Sequence, residues 1–165
     1  MRAQASADSA TAITEYLKDV LSTARPEEAG ADVRLIDVLD HATRTIPERF
    51  ADLPVEGAIA QDIVADVYLA QSMHGRAAEL LRPAYETLLE ELGPDDPRTL
   101  RVGYRLLTAD SFEILPDELE SRANELFGRL RRRFGRNDPI TLATGRLHAI
   151  SFFRRGDNVE AERLL

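Results

Sequence analysis

The chain has 165 residues, no cysteine, and 29 acidic against 21 basic side chains, a formal net charge of −8. Without cysteine there is no disulfide framework, thiolate nucleophile or thiolate metal site. An isoelectric point near 4.9 argues against a general binder of nucleic acid or anionic membrane, which needs basic patches to release counterions.

In chain order, residues 1–8 are small and polar and are expected to be disordered. Ile13, Tyr16, Leu17, Val20 and Leu21 then fall at three- and four-residue steps and predict an amphipathic helix. The stretch Arg25-Pro26-Glu27-Glu28-Ala29-Gly30-Ala31-Asp32 breaks it with both strong punctuators, and Asp32 can cap a second helix over about 33–50. Residues 9–50 thus read as an N-terminal helical pair. No run of about 18 apolar residues follows anywhere, and Met1-Arg2 leads into polar residues, so neither a membrane span nor a signal peptide is expected and the segment reads as soluble.

Beyond residue 50 one punctuation mark recurs at 42 residues: Gly93-Pro94-Asp95-Asp96-Pro97-Arg98-Thr99-Leu100 and Gly135-Arg136-Asn137-Asp138-Pro139-Ile140-Thr141-Leu142. Such a period marks a repeat array. Gly93 and Gly135 can take the left-handed position that ends a helix, while Asp96-Pro97 and Asp138-Pro139 supply an N-cap and a proline in the first turn. On the same register Leu35, Leu39, Ala42, Ile46 and Phe50 superpose on Ala77, Leu81, Ala84, Leu88 and Leu92, and these on Leu119, Ala123, Leu126, Leu130 and Phe134. Every slot is apolar, and exchanges such as Ala77/Leu81 for Leu119/Ala123 keep packed volume roughly constant. The second helix of a hairpin therefore occurs three times, and Ala161 with Leu165 begins a fourth.

First helices are expected at about 54–72, 97–113 and 138–154, giving repeats over 51–92, 93–134 and a truncated 135–165. Val and Ile sit in helical rather than alternating patterns, so the fold class is all-α with about seven to eight helices. Pro116 can start a helix, whereas Pro47 and Pro83 lie inside apolar patterns and are expected to kink or locally open their helices.

Within 65–84 the spacing Ala65, Tyr68, Ser72, Ala77, Leu81, Ala84 resembles a tetratricopeptide repeat, as does Ala149, Phe152, Gly156, Ala161. The middle copy departs from it, with Leu107, Asp110 and Ile114 in the small, aromatic and turn-glycine slots, so the turn over 110–116 is expected to be reshaped. The 42-residue period is similar to the longer repeat of kinesin light chains and many bacterial regulators. The stretch Tyr16-Leu17-Lys18-Asp19-Val20-Leu21, with Ala24-Arg25-Pro26-Glu27, Gly30, Asp32-Val33 and Leu39-Asp40, resembles the lead into the repeat region of bacterial serine/threonine kinases and related transcriptional regulators. The resemblance implies a right-handed superhelical array of antiparallel helix hairpins. It also implies a non-catalytic docking or sensing module of a larger signalling protein, either extracytoplasmic in a membrane-anchored parent or cytoplasmic. The chain then reads as an excised piece.

No enzyme chemistry is indicated. Lys18 is the only lysine and no glycine-rich nucleotide loop occurs, so neither a kinase site nor a phosphate-binding loop is present. His41, His74 and His148 are far apart without i+4 partners, and the pairs Glu27-Glu28 and Asp95-Asp96 lie where caps are needed; no cofactor or metal is expected. The run Arg129, Arg131, Arg132, Arg133, Arg136 reads first as helix C-terminal charge opposing the macrodipole, and second as a site for an anionic partner.

Stacked hairpins line an inner surface with their first helices. By register, Ile59, Asp62, Asp66 and Leu69 point inward in the first copy; Arg101, Tyr104, Thr108 and Phe112 in the second; Arg146, Ile150, Phe153 and Arg154 in the third. The expected partner is a protein or peptide held by Asp62, Asp66, Arg101, Tyr104, Arg146, Phe153 and Arg154. Arginines would pair with carboxylates and the aromatics supply apolar contact. Against this, Phe112 and Phe153 also read as packed between repeats. The alternative function is self-association as a homodimer. Residues 1–92 hold 8 basic and 17 acidic side chains and residues 93–165 hold 13 and 12, a gradient that reads either as orienting a partner or as ordinary solvated surface.

Overall fold

The structure, a computed structural model, describes residues 11–20 and 35–164. The expectations for residues 1–8, for the break at 25–32 with its Asp32 cap, and for Leu165 fall outside the described residues. Helix α1 covers 11–20. It is followed by α2 (Leu35–Arg49), α3 (Pro54–Ala70), α4 (His74–Leu92), α5 (Pro97–Asp110), α6 (Pro116–Phe134), α7 (Pro139–Arg155) and α8 (Asn158–Leu164). No strand occurs among the described residues. Successive helices from α2 onward pack on one another, and the first helices α3, α5 and α7 also touch in sequence, so the antiparallel hairpins stack side by side as a repeat array.

The caps act as their sequence implies. Asp96 accepts from the Arg98 amide at 2.9 Å, and Asp138 from the amides of Ile140 at 2.9 Å and Thr141 at 3.3 Å, with Pro97 and Pro139 opening their helices. The threonine of the recurring mark adds a tie between helices, since buried Thr99 donates to the Leu88 carbonyl at 3.1 Å and so joins the start of α5 to the end of α4. Thr141 is equally buried, but its hydroxyl has no hydrogen-bond partner among the described residues.

The glycines differ from expectation. Gly93 and Gly135 have φ of 84° and 91° but ψ near 170°, outside the left-handed helical region and in extended backbone open almost only to glycine. Pro94 pushes Gly93 away from helical ψ. Gly135 precedes Arg136 and adopts the same conformation, so the inter-repeat loop imposes it there without a proline. The left-handed helical cap is found at Gly156, with φ 86° and ψ 5°.

Pro47 and Pro83 do not interrupt α2 or α4; both lie on exposed faces, where water can satisfy the carbonyl each leaves without a helical donor. The middle turn is reshaped, running over residues 111–115 where the other hairpins use 71–73 and 156–157. The apolar register forms the core, with exceptions: Leu35 and Phe134 at its ends are exposed, and Leu92 and the mid-register Leu126 are half-buried.

Repeat spacing is set by a pair of contacts absent from that register. A Cβ on Gly103 would stand 3.0 Å from the Tyr85 ring, and one on Gly145 3.3 Å from the Phe127 ring. In each case an aromatic side chain of a second helix rests on a bare patch of the next first helix. At the N-terminal end α1 closes the stack: the Tyr16 hydroxyl donates to the Ala42 carbonyl at 2.7 Å, and its ring meets Phe50 edge-on.

Candidate functional site: the face of the first helices

Three successive first helices enclose a cleft of about 380 Å³. Asp66 and Leu69 of α3 form one wall, Arg101, Tyr104 and Thr108 of α5 the other, with Arg105 beside them and Ile140 at the start of α7. Of the seven residues expected to hold a partner, Asp66, Arg101 and Tyr104 meet here. Arg146 and Phe153 line a second cleft of about 500 Å³ with Ala149 and Ile150 of α7 and Asn158, Ala161 and Glu162 of α8. Asp62 and Arg154 line neither.

Asp62 is buried, and Arg105 holds it: Nη1 lies 2.6 Å from Asp62 Oδ2, while Nε lies 3.0 Å from Asp66 Oδ1. Burial pushes the Asp62 carboxyl above the ordinary aspartate range, opposed by the Arg105 charge and hydrogen bond. The acidic end expected on the inner face is thus neutralised within the fold. Arg105 is missing from the sequence-derived set, although its spacing of 43 residues from Asp62 and 39 from Asp66 places it one repeat away.

Arg154 is also engaged within the chain, donating to the carbonyls of Ser111 and Ile114 and so bracing the reshaped turn. Below that turn Asp110 fills the slot where the repeat normally has an aromatic. It is buried and meets Arg82 of α4 at 3.0 Å and Arg122 of α6 at 2.9 Å, an acid clamped between two second helices. Arg155 bridges Asp117 and Glu120 at 2.8 and 2.6 Å and lies over the Phe152 ring.

Arg101 and Arg146 remain. Both are exposed and neither forms an ion pair with a described residue. Phe112 and Phe153 are exposed among the described residues, and the Phe112 ring meets that of His74 at 4.9 Å between centroids. Among the described residues, the aromatics that rest on the next first helix are Tyr85 and Phe127.

The remaining sequence features take structural roles. Asp96 is a cap and also binds the Arg98 guanidinium, which holds its carboxyl below the usual range. Of the arginine run, Arg129 pairs with Glu125 at 2.7 Å, and Arg131 and Arg133 lie over the Phe127 and Phe134 rings. Among the described residues there is no group of three His, Cys, Asp or Glu placed to hold a metal ion, and no helix is long and apolar enough to cross a membrane.

No family model and no curated protein matches the chain. Among solved structures it is similar to the crystal structure of a putative kinesin light chain from Podospora anserina with nearly identical TPR-like repeats. Sequence identity is 17%, the TM-score is 0.52, and the match covers 99% of this chain and 86% of that one. At this identity the likeness is one of fold. The chain has a tetratricopeptide-like helical-repeat fold.

Proposed function

We propose that the chain is a non-catalytic docking module that binds an extended peptide or protein segment across α3, α5 and α7. The carrying observation is the charge balance of the cleft. Asp62 and Asp66 are held by Arg105, so Arg101, and beyond it Arg146, are the cations of this face with neither an ion pair nor a hydrogen bond to a described residue. An acidic segment is the complement: a carboxylate on Arg101, an apolar side chain against Tyr104 and Leu69, and polar contact with Thr108. Asp66 restricts where along the segment acids are accepted. The titratable groups with displaced pKa on or near this face, Asp62 and Asp96, are each tied to an arginine, which gives them structural work.

The wider setting, a module of a larger bacterial signalling or transcriptional regulator, rests on the resemblance of residues 16–40 to the lead into such repeat regions. Docking is testable without knowing the partner. A fluorescein-labelled peptide of alternating Glu and Leu should show saturable polarisation, and a lysine-for-glutamate version should not. Arg101→Glu should weaken binding about tenfold with an unchanged circular dichroism spectrum. Equal binding of the two peptides, or an unaffected Arg101→Glu variant, would refute the cleft.

A further inference from the structure

Arginines crowd the end of α6. Arg131, Arg132, Arg133 and Arg136 are all exposed, and none forms an ion pair or a hydrogen bond with a described residue. Their exposure belongs to the slots they fill. Leu89, Glu90 and Glu91 of α4 occupy the places of the first three one period earlier, with the next repeat packed beside them, and are exposed as well; so are Pro47, Glu48 and Arg49 of α2. Nor does ending the helix call for these cations. α4 is 19 residues long like α6, has no basic residue in its last turn, and stops on Gly93 with φ 84° and ψ 170°, against 91° and 171° at Gly135. A helix C-terminus offers the equivalent of about half a negative charge, which leaves most of the charge of the cluster unmatched. Asp96, which feels the Arg133 charge, is already bound by the Arg98 guanidinium at 3.0 Å.

We propose that this cluster binds a phosphoserine or phosphothreonine carried by a partner segment. The site stands apart from the cleft on the first helices, which none of the four arginines lines, and does not rest on the docking reading given above. Charge selects the ligand first: a phosphate monoester carries about 1.5–2 negative charges and three acceptor oxygens, more than one carboxylate offers, and calls for several cations at one point. Donor geometry agrees, since a guanidinium presents paired N–H groups that match phosphate oxygens. Arg131 and Arg133 lie over the Phe127 and Phe134 rings at 5.9 Å, contacts that order them without committing them to a carboxylate or carbonyl. Extent then excludes larger polyanions. Nucleic acid or an anionic bilayer needs a basic surface that meets many phosphates, whereas one repeat back the same slots carry Glu90 and Glu91, on a chain of net charge −8. The positive area is confined to one helix end and its loop, the footprint of a single dianion.

The test is fluorescence polarisation of the full chain with a fluorescein-labelled peptide holding one phosphoserine in a glycine–alanine frame, at physiological ionic strength. Binding should be saturable and at least about tenfold tighter than for the same peptide with serine or glutamate at that position. Arg132 and Arg136 make neither a ring contact nor an ion pair, so Arg132→Ala with Arg136→Ala should leave the circular dichroism spectrum unchanged and weaken the phosphopeptide about tenfold or more. Arg101→Glu should leave this binding unmoved, which separates the site from the cleft. A phosphopeptide bound no tighter than its serine or glutamate version, or indifferent to the double alanine variant, overturns the proposal. So does inorganic phosphate that competes at the phosphopeptide's own dissociation constant, which marks an adventitious ion only. Retention on phosphatidylserine vesicles through the same arginines, with no phosphopeptide binding, would assign the cluster to a membrane surface instead.

Discussion

Arg105→Leu isolates the contact that holds α3 to α5 beneath the cleft. The substitution keeps much of the side-chain volume but leaves Asp62 in place, with its carboxylate only 12% exposed and its 2.6 Å partner gone. Removing one member of a fully buried pair costs roughly 3–5 kcal/mol, because the remaining charge is uncompensated. Arg105 is 22% exposed, so some water reaches the site and the expected loss is about 2–4 kcal/mol. The Asp66 arm adds little, since that carboxylate is 59% exposed. Asp62→Leu combined with Arg105→Leu replaces the whole pair by apolar groups and should recover most of the loss, as buried pairs often exchange for hydrophobic residues at little cost. The pH response has a definite sign. Without Arg105, burial and the Asp66 charge raise the Asp62 carboxyl and only the smaller influence of the Arg101 charge opposes them, so the folded state binds a proton more tightly than the unfolded one. The single variant should therefore lose part of its deficit as pH falls from 7 to 5, and the double variant should not. Urea unfolding followed by far-ultraviolet circular dichroism at both pH values measures all of this. An Arg105→Leu chain within about 1 kcal/mol of wild type, or a double variant as unstable as the single, would sink the assignment of a buried, arginine-dependent carboxylate.

Removing both Arg82 and Arg122 by alanine should destabilise more than Asp110→Ala, although the arginines are the more exposed partners; adding Asp110→Ala to the pair should restore stability in the same urea assay. Gly93→Ala and Gly135→Ala should each cost about 1–3 kcal/mol, because an alanine cannot relax into their extended positive-φ backbone; an unchanged melting temperature would contradict that geometry. Gly128→Ala should instead stabilise by about 0.5–1 kcal/mol, since it lies within α6 and the added Cβ would meet only the Arg132 guanidinium, at 3.6 Å. Burial holds the His148 imidazole below its ordinary value of 6.5, against the opposing charges of Glu120 and Glu160. Below that value the unfolded chain binds the extra proton, so stability present above pH 6.5 is lost as pH falls toward the lower folded value. His148→Gln should flatten this stretch of the urea midpoint against pH.

Helix starts and stops, the all-α class and the 42-residue register were legible in the sequence, because a cap, a first-turn proline or a terminal glycine acts on backbone groups within one helical turn. Burial of slots such as Leu81, Ala84 and Leu119 follows from a pattern repeated wherever the same contact recurs. The candidate site was legible only in part. Arg101 and Arg105 sit four residues apart on one face of α5, and nothing local says which of them meets the acids of α3. That choice depends on how α5 is rotated and how closely it approaches, which Tyr85 on Gly103 decides from another helix. Arg154 likewise reads as a free groove cation until the lengthened turn at 111–115 brings two carbonyls beneath it. Local backbone preferences are written in neighbouring residues, whereas the pairing of charges across helices is decided by distances and rotations that the packed core alone sets.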